Sequence, residues 1–154
     1  MPYPDEKIMK TRIMVSAAVL CLLSSCSDLS NVNKVDLLVG IWKESCGKSE
    51  TIILRSSDGT YRQKSLKNDT ASEEKEVETS SGEWGLRGDV YFERITYISN
   101  NKWEKFIGRK FEMEINSISS SRFRYYSTDN ADCEQIKVGP ANIGLFDRLV
   151  SNLE

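Results

Sequence analysis

The chain has 154 residues, with 21 Lys and Arg against 23 Asp and Glu, four Cys and no His. That length holds one domain of ordinary size, and 39% apolar with 29% charged residues is a globular composition rather than a disordered one. Without imidazole there is no Ser-His-Asp or Cys-His nucleophile pair and no His-ligated zinc, and a net charge of −2 speaks against general nucleic-acid binding.

Ile13 to Leu23 reads IMVSAAVLCLL and follows Lys10 and Arg12. A bilayer-spanning helix needs about 20 apolar residues. A stretch this short behind basic residues is the layout of a signal peptide. Residues 1–25 are therefore expected to be removed, with Met9 a cleaner start than Met1 because Asp5 and Glu6 do not suit a basic leader. Leu23-Ser24-Ser25-Cys26 resembles the bacterial lipobox. That resemblance implies cleavage before Cys26 and a lipid on its sulfur. By the Gram-negative sorting rule, Ser27 implies the outer membrane, with the domain facing the periplasm.

Loss of Cys21 and lipidation of Cys26 leave Cys46 and Cys133. Two remaining cysteines in an exported chain are the usual setting for one disulfide. A bridge enclosing most of the domain contributes up to about 4 to 5 kcal/mol in chain-entropy estimates. A reactive thiol pair is the alternative, but no CxxC stands at either position.

Residues 26–36 read as the lipidated Cys and a polar tether. Asp36 to Val39 allows one helical turn. Short strands are then expected at Gly40–Ser45 and Thr51–Arg55. Asp58-Gly59 is a hairpin signal. Thr60–Lys67 alternates, with Tyr61 and Gln63 opposite Arg62 and Lys64. Asn68 to Lys75 is a charged loop, and Val77–Leu86 a further strand. Gly88 allows a tight turn, and Val90–Ser99 reads as the longest strand. Phe111, Met113 and Ile115 alternate with Lys110, Glu112 and Glu114, and Asn116 is expected to turn the chain. Ser121–Ser127 and Cys133–Val138 complete the set. Ile143, Phe146, Leu149, Val150 and Leu153 recur at helical spacing, so residues 140–154 are expected to form a tail or short helix. About eight short, evenly spaced strands point to an all-β antiparallel barrel or sandwich.

The order Leu38-Val39-Gly40-Ile41-Trp42, Asp58-Gly59-Thr60-Tyr61, Gly82-Glu83-Trp84 and Gly88-Asp89 resembles the small bacterial lipocalin-like domains. The resemblance runs from Val39 to Val138. It implies an up-and-down barrel of eight strands over residues 37–139, with Trp42 closing one end. It also implies a late Arg over that Trp, for which Arg122 and Arg124 are the candidates. A second resemblance is to the lysozyme-inhibitor lipoproteins, also small barrels, through Thr79-Ser80-Ser81-Gly82-Glu83-Trp84, which would form an inserting loop.

Trp42 and Trp84 share a Gly-x-Trp setting and read either as a ligand mouth or as buried barrel plugs. Trp103, in a polar loop, reads as an exposed binding residue or as a lid over the barrel. Arg122, Arg124, Tyr125 and Tyr126 suit an anionic ligand, or a solvated face opposite the core. Glu73, Glu74, Glu76 and Glu78 lack the pattern of a calcium loop. The tentative contacts are Trp103, Trp84, Arg124 and Tyr126. No catalytic residue, metal or cofactor is expected. The expectation is a binding lipoprotein, not an enzyme. Its partners would be the membrane, through Cys26, and a small apolar ligand or envelope component. The alternative is an inhibitor acting on a protein through surface loops.

Overall fold

A computed structural model describes residues 33–47, 49–68, 75–127 and 132–153. The expected signal segment, Cys26, most of the expected tether, Glu73 and Glu74 lie outside the described residues. Eight antiparallel strands form a closed up-and-down barrel: β1 Gly40–Cys46, β2 Ser49–Arg55, β3 Thr60–Asn68, β4 Lys75–Arg87, β5 Val90–Ile98, β6 Lys110–Ile118, β7 Arg122–Tyr126 and β8 Asp132–Gly139. Each strand pairs with the next, and β8 returns to β1, so no edge is left unpaired. A short helix, Lys34–Leu38, precedes the barrel, a 3₁₀ turn spans Asn101–Phe106, and a helix, Ile143–Ser151, follows. The all-β reading with a C-terminal helix therefore holds.

Alternation sorts side chains to the two faces of the wall. Trp42, Ile53, Tyr61, Trp84, Tyr91, Phe123, Tyr125 and Cys133 turn inward and form one core with Leu38. Both faces of β2 are covered, which explains its unbroken apolar run Ile52-Ile53-Leu54. Ile53 joins the interior, while Ile52 and Leu54 pack outside with Ile41 against Phe146 of the C-terminal helix. Asn142 caps that helix by accepting from the Leu145 N–H at 2.9 Å. Cys46 and Cys133 are disulfide-bonded, with Cα atoms 4.7 Å apart. The bridge joins β1 to β8, the seam that closes the barrel. Residues 33–154 form one compact unit with their own core, closed ladder and disulfide. Those are the attributes of a segment able to fold alone.

Two glycines answer to specific needs. Gly59 takes φ +81° in the β2–β3 turn, and its carbonyl accepts the Trp84 N–H at 2.8 Å. At Gly82 a Cβ would lie 1.9 Å from the Arg94 carbonyl oxygen. The β4–β5 register slips between Ser81 and Gly82, and the missing side chain lets the bulge close.

Three expectations need correction. Asn116 does not turn the chain. It sits within β6, where the β6–β7 register shifts, and the turn comes at Ser119, whose Oγ accepts the Arg122 N–H at 3.0 Å. The longest strand is β4, of 13 residues, not β5, of 9. β4 takes in Lys75, Glu76 and Arg87 beyond Val77–Leu86, charged residues with little strand signal of their own that the ladders pair with Asn68, Lys67 and Val90. Within residues 26–36, expected as a polar tether, Lys34 already begins a helix capped by Asn33.

Candidate functional site

One end of the barrel is plugged. The Trp42 indole N–H donates to the Leu38 carbonyl at 2.8 Å, and both residues are fully buried. Lys137 Nζ donates to the carbonyls of Leu37 at 2.7 Å and Val39 at 2.8 Å, and lies 4.9 Å from the centre of the Trp42 ring. Lys34 of the helix also pairs with Asp89 of the β4–β5 turn at 2.6 Å. The cation over the plug tryptophan is therefore Lys137, and neither Arg122 nor Arg124 takes that place. Strand parity is the reason. Phe123 and Tyr125 turn inward, so both arginines project outward, where they pair with Glu134 and Asp132.

Above the plug the inward face carries aromatic rings around one guanidinium. Arg55 ends β2 in phase with Ile53, and it is fully buried. Its Nε donates to the Tyr91 hydroxyl at 2.8 Å and its Nη1 to Gln135 Oε1 at 2.7 Å. The guanidinium lies 4.9 Å from the Tyr91 ring centre and 5.6 Å from that of Phe123. Tyr91 in turn donates to Glu93. Gln135 Nε2 donates to Glu44 Oε2 at 2.5 Å, and the Tyr125 hydroxyl donates to the same oxygen. One continuous chain of contacts thus runs Glu93, Tyr91, Arg55, Gln135, Glu44, Tyr125. It holds two carboxylates and one guanidinium.

Burial and neighbouring charges shift these groups. Burial opposes the charge on Arg55, yet Tyr91 and Glu93 outweigh it and hold its pKa above the ordinary value. Burial pushes Glu93 above the usual carboxylate range, against the pull of Arg55. Burial also raises the hydroxyls of Tyr91, Tyr125 and Tyr61. The network is not fully satisfied. Arg55 Nη2 stands 3.7 Å from Glu93 Oε1 and makes no hydrogen bond. The Tyr61 hydroxyl and Ser80 Oγ, 2% and 4% exposed as residues, face one another without closing a well-formed bond to any group. Three polar groups with unused capacity therefore point into the interior. Among the described residues, no group of three or more Cys, Asp or Glu is placed to hold a metal.

The four tentative contact residues do not converge. Trp84 is a core residue, 4% exposed, whose indole N–H donates to the Ser56 carbonyl at 3.2 Å. Arg124 lies on the outer wall, 2.5 Å from Asp132. Tyr126, also outward, is 43% exposed. Trp103 is half-buried in the 3₁₀ turn rather than exposed, stacked on Phe106 with ring centres 5.5 Å apart. Residues 79–84 lie inside β4, paired on both sides, so they form no inserting loop. Glu76 and Glu78 share the inward phase of Ser80, and Asn100 donates to Glu76 at 2.5 Å. Sequence reading missed Arg55, Tyr61, Tyr91, Glu93, Gln135 and Glu44. The usable signal was phase: each but Tyr61 stands two residues from an inward apolar or aromatic residue or directly across from one, and Tyr61 is the register partner of Arg55.

No protein-family model and no curated protein matches the chain. Among solved structures, a lipocalin-like protein from Bacteroides uniformis is similar at 14% identity and a TM-score of 0.44, over 66% of this chain and 99% of that one. An uncharacterized protein from Bacteroides eggerthii is similar at 11% identity and a TM-score of 0.42, over 65% of this chain and 98% of that one.

Proposed function

We propose that the chain is a lipid-anchored envelope lipoprotein whose barrel binds a small ligand in its interior, and that it is a binding module rather than an enzyme. The ligand carries a hydrogen-bonding head that sits on the polar network, with any apolar part directed away from the plug. The observation that carries the reading is the trio of buried, unsatisfied groups: Arg55 Nη2, the Tyr61 hydroxyl and Ser80 Oγ. A buried donor left unmade costs about 1–3 kcal/mol. A barrel that keeps three such groups pointing inward has polar capacity to offer an occupant. The inhibitor reading has less support, because residues 79–84 are held in β4.

A crystal structure of the domain purified from an envelope extract tests this directly. Density for an organic ligand within hydrogen-bond distance of Arg55 Nη2 supports the proposal. Ordered waters that satisfy all three groups, with no other density, refute it. Anchoring through Cys26 is tested separately by membrane fractionation. Cys26→Ala should release the protein or leave it unprocessed, since acyl chains on that residue supply the attachment.

A further inference from the structure

The C-terminal helix is seated over β2 and leaves a cleft beside it on the outer wall. Between Phe146, Asp147 and Val150 of the helix and Arg62, Ser81 and Tyr97 of β3, β4 and β5 lies a cavity of ≈ 430 Å³. That volume is in the range of small-molecule sites. Phe146, only 6% exposed, and Val150 give the cleft an apolar floor, and Tyr97 stands over it 54% exposed.

Arg62 makes the cleft chemically specific. The outward arginines of the other strands have carboxylate partners: Arg87 with Glu112, Arg94 with Glu83, Arg122 with Glu134 and Arg124 with Asp132. Arg62 faces Leu54 on one neighbouring strand and Ser81 on the other, and neither can neutralise it. Among the described residues it has no ion pair. Lys64, two residues on, and Asp147 of the helix also border the cleft, one charge of each sign. An apolar floor, an exposed ring and an arginine with no ion pair among the described residues define the occupant by complementarity.

We propose that this cleft binds a small amphiphilic anion, with its apolar body on Phe146, Val150 and Tyr97 and its anionic group on Arg62. The cleft lies on the outer wall, because Arg62 and Tyr97 project from the opposite face to Tyr61, with Gln63 and Ser80 of the wall itself also bordering it.

The test is a titration of the isotope-labelled domain, residues 33–154, with octyl sulfate below its micelle concentration, followed by NMR. Saturable shifts centred on Tyr97 and Phe146 are expected, with octyltrimethylammonium bound at least about tenfold more weakly. Arg62→Gln should weaken octyl sulfate by about tenfold, the loss typical of one charge-assisted hydrogen bond. Tyr97→Ala, at a half-exposed position that leaves the fold intact, should weaken both probes alike by removing apolar contact. The proposal is overturned by equal affinity for the cationic probe, by no effect of Arg62→Gln, by shifts that never saturate, or by shifts centred on Tyr61 and Tyr91. That last pattern would place the ligand inside the barrel and leave the lumen reading standing without this one.

Discussion

Replacing Arg55 by Met tests whether the interior network holds the barrel together. Met keeps most of the volume and removes the charge. Glu93 then loses its cation, while Tyr91 and Gln135 lose donors at 2.8 and 2.7 Å. Breaking a buried ion pair by removing one partner costs about 3–5 kcal/mol. The Glu93 side chain is 17% exposed, so water can relieve part of that penalty and the low end, about 3 kcal/mol, applies. Adding Glu93→Gln removes the stranded charge. The remaining loss is then mostly the orphaned Gln135 oxygen, about 1 kcal/mol. The double variant should therefore be more stable than Arg55→Met alone, by about 2 kcal/mol on those same figures. Urea unfolding of the oxidised domain at pH 7, read by the fluorescence of the buried Trp42 and Trp84, measures each step. With a slope near 1.5 kcal/mol/M, Arg55→Met should lower the midpoint by about 2 M. A loss below about 1 kcal/mol, or a double variant as unstable as the sum of its parts, would refute the reasoning.

Glu93→Gln alone carries a pH signature. The folded state raises the Glu93 pKa, so wild-type stability is fully present below the ordinary carboxylate range and falls as pH rises through it toward the folded pKa. Wild type and variant should be nearly equal below about pH 4, and the variant should become the more stable as pH rises; a difference constant with pH would be wrong for this account. Trp42→Ala should cost about 3–5 kcal/mol through a cavity at the plug, whereas Trp103→Ala, at a half-buried turn position, should cost about 1 kcal/mol; a single denaturant series compares them. Lys137→Met should leave the carbonyls of Leu37 and Val39 without their donor and speed amide exchange in residues 35–39, with an unchanged exchange pattern counting against the pinning role. Reduction of the Cys46–Cys133 bridge should lower stability by about 2–4 kcal/mol, read as a shift in the urea midpoint with and without reductant.

Much of the barrel was legible because its strands obey one rule. In β6, Phe111, Met113 and Ile115 alternate with charge; Met113 and Ile115 pack against the core, and Phe111 packs against Phe106 of the 3₁₀ turn. Asp58-Gly59 gave its hairpin. Two errors have a common cause. Asn116 looked like a turn residue, and Thr79 to Trp84 resembled an inserting loop, yet both stretches carry bulges. A bulge is imposed by the curvature of the closed wall, which a single strand's sequence does not carry. The disulfide was legible by counting, once the expected leader and lipid site had set Cys21 and Cys26 aside.

The interior site was not legible, and its residues show why. Polar residues were weighed by their neighbours in sequence, so Arg124 and Tyr126 stood out as a basic-aromatic run. In a barrel, the neighbours that matter are two residues away or across the ladder. Glu44 follows Trp42 in phase, Glu93 follows Tyr91, and Gln135 follows Cys133. Each looks like ordinary outward polarity until the inward set is fixed by the apolar residue two places before it. Arg55 closes an apolar run of which both faces are buried, so alternation within β2 gave no sign of its side. Its register partner Tyr61 does, because residues paired directly share a face. A polar residue in phase with a barrel's aromatic core must either be satisfied by the protein or serve an occupant. Arg55 divides between the two, with Nε and Nη1 satisfied and Nη2 left facing the interior.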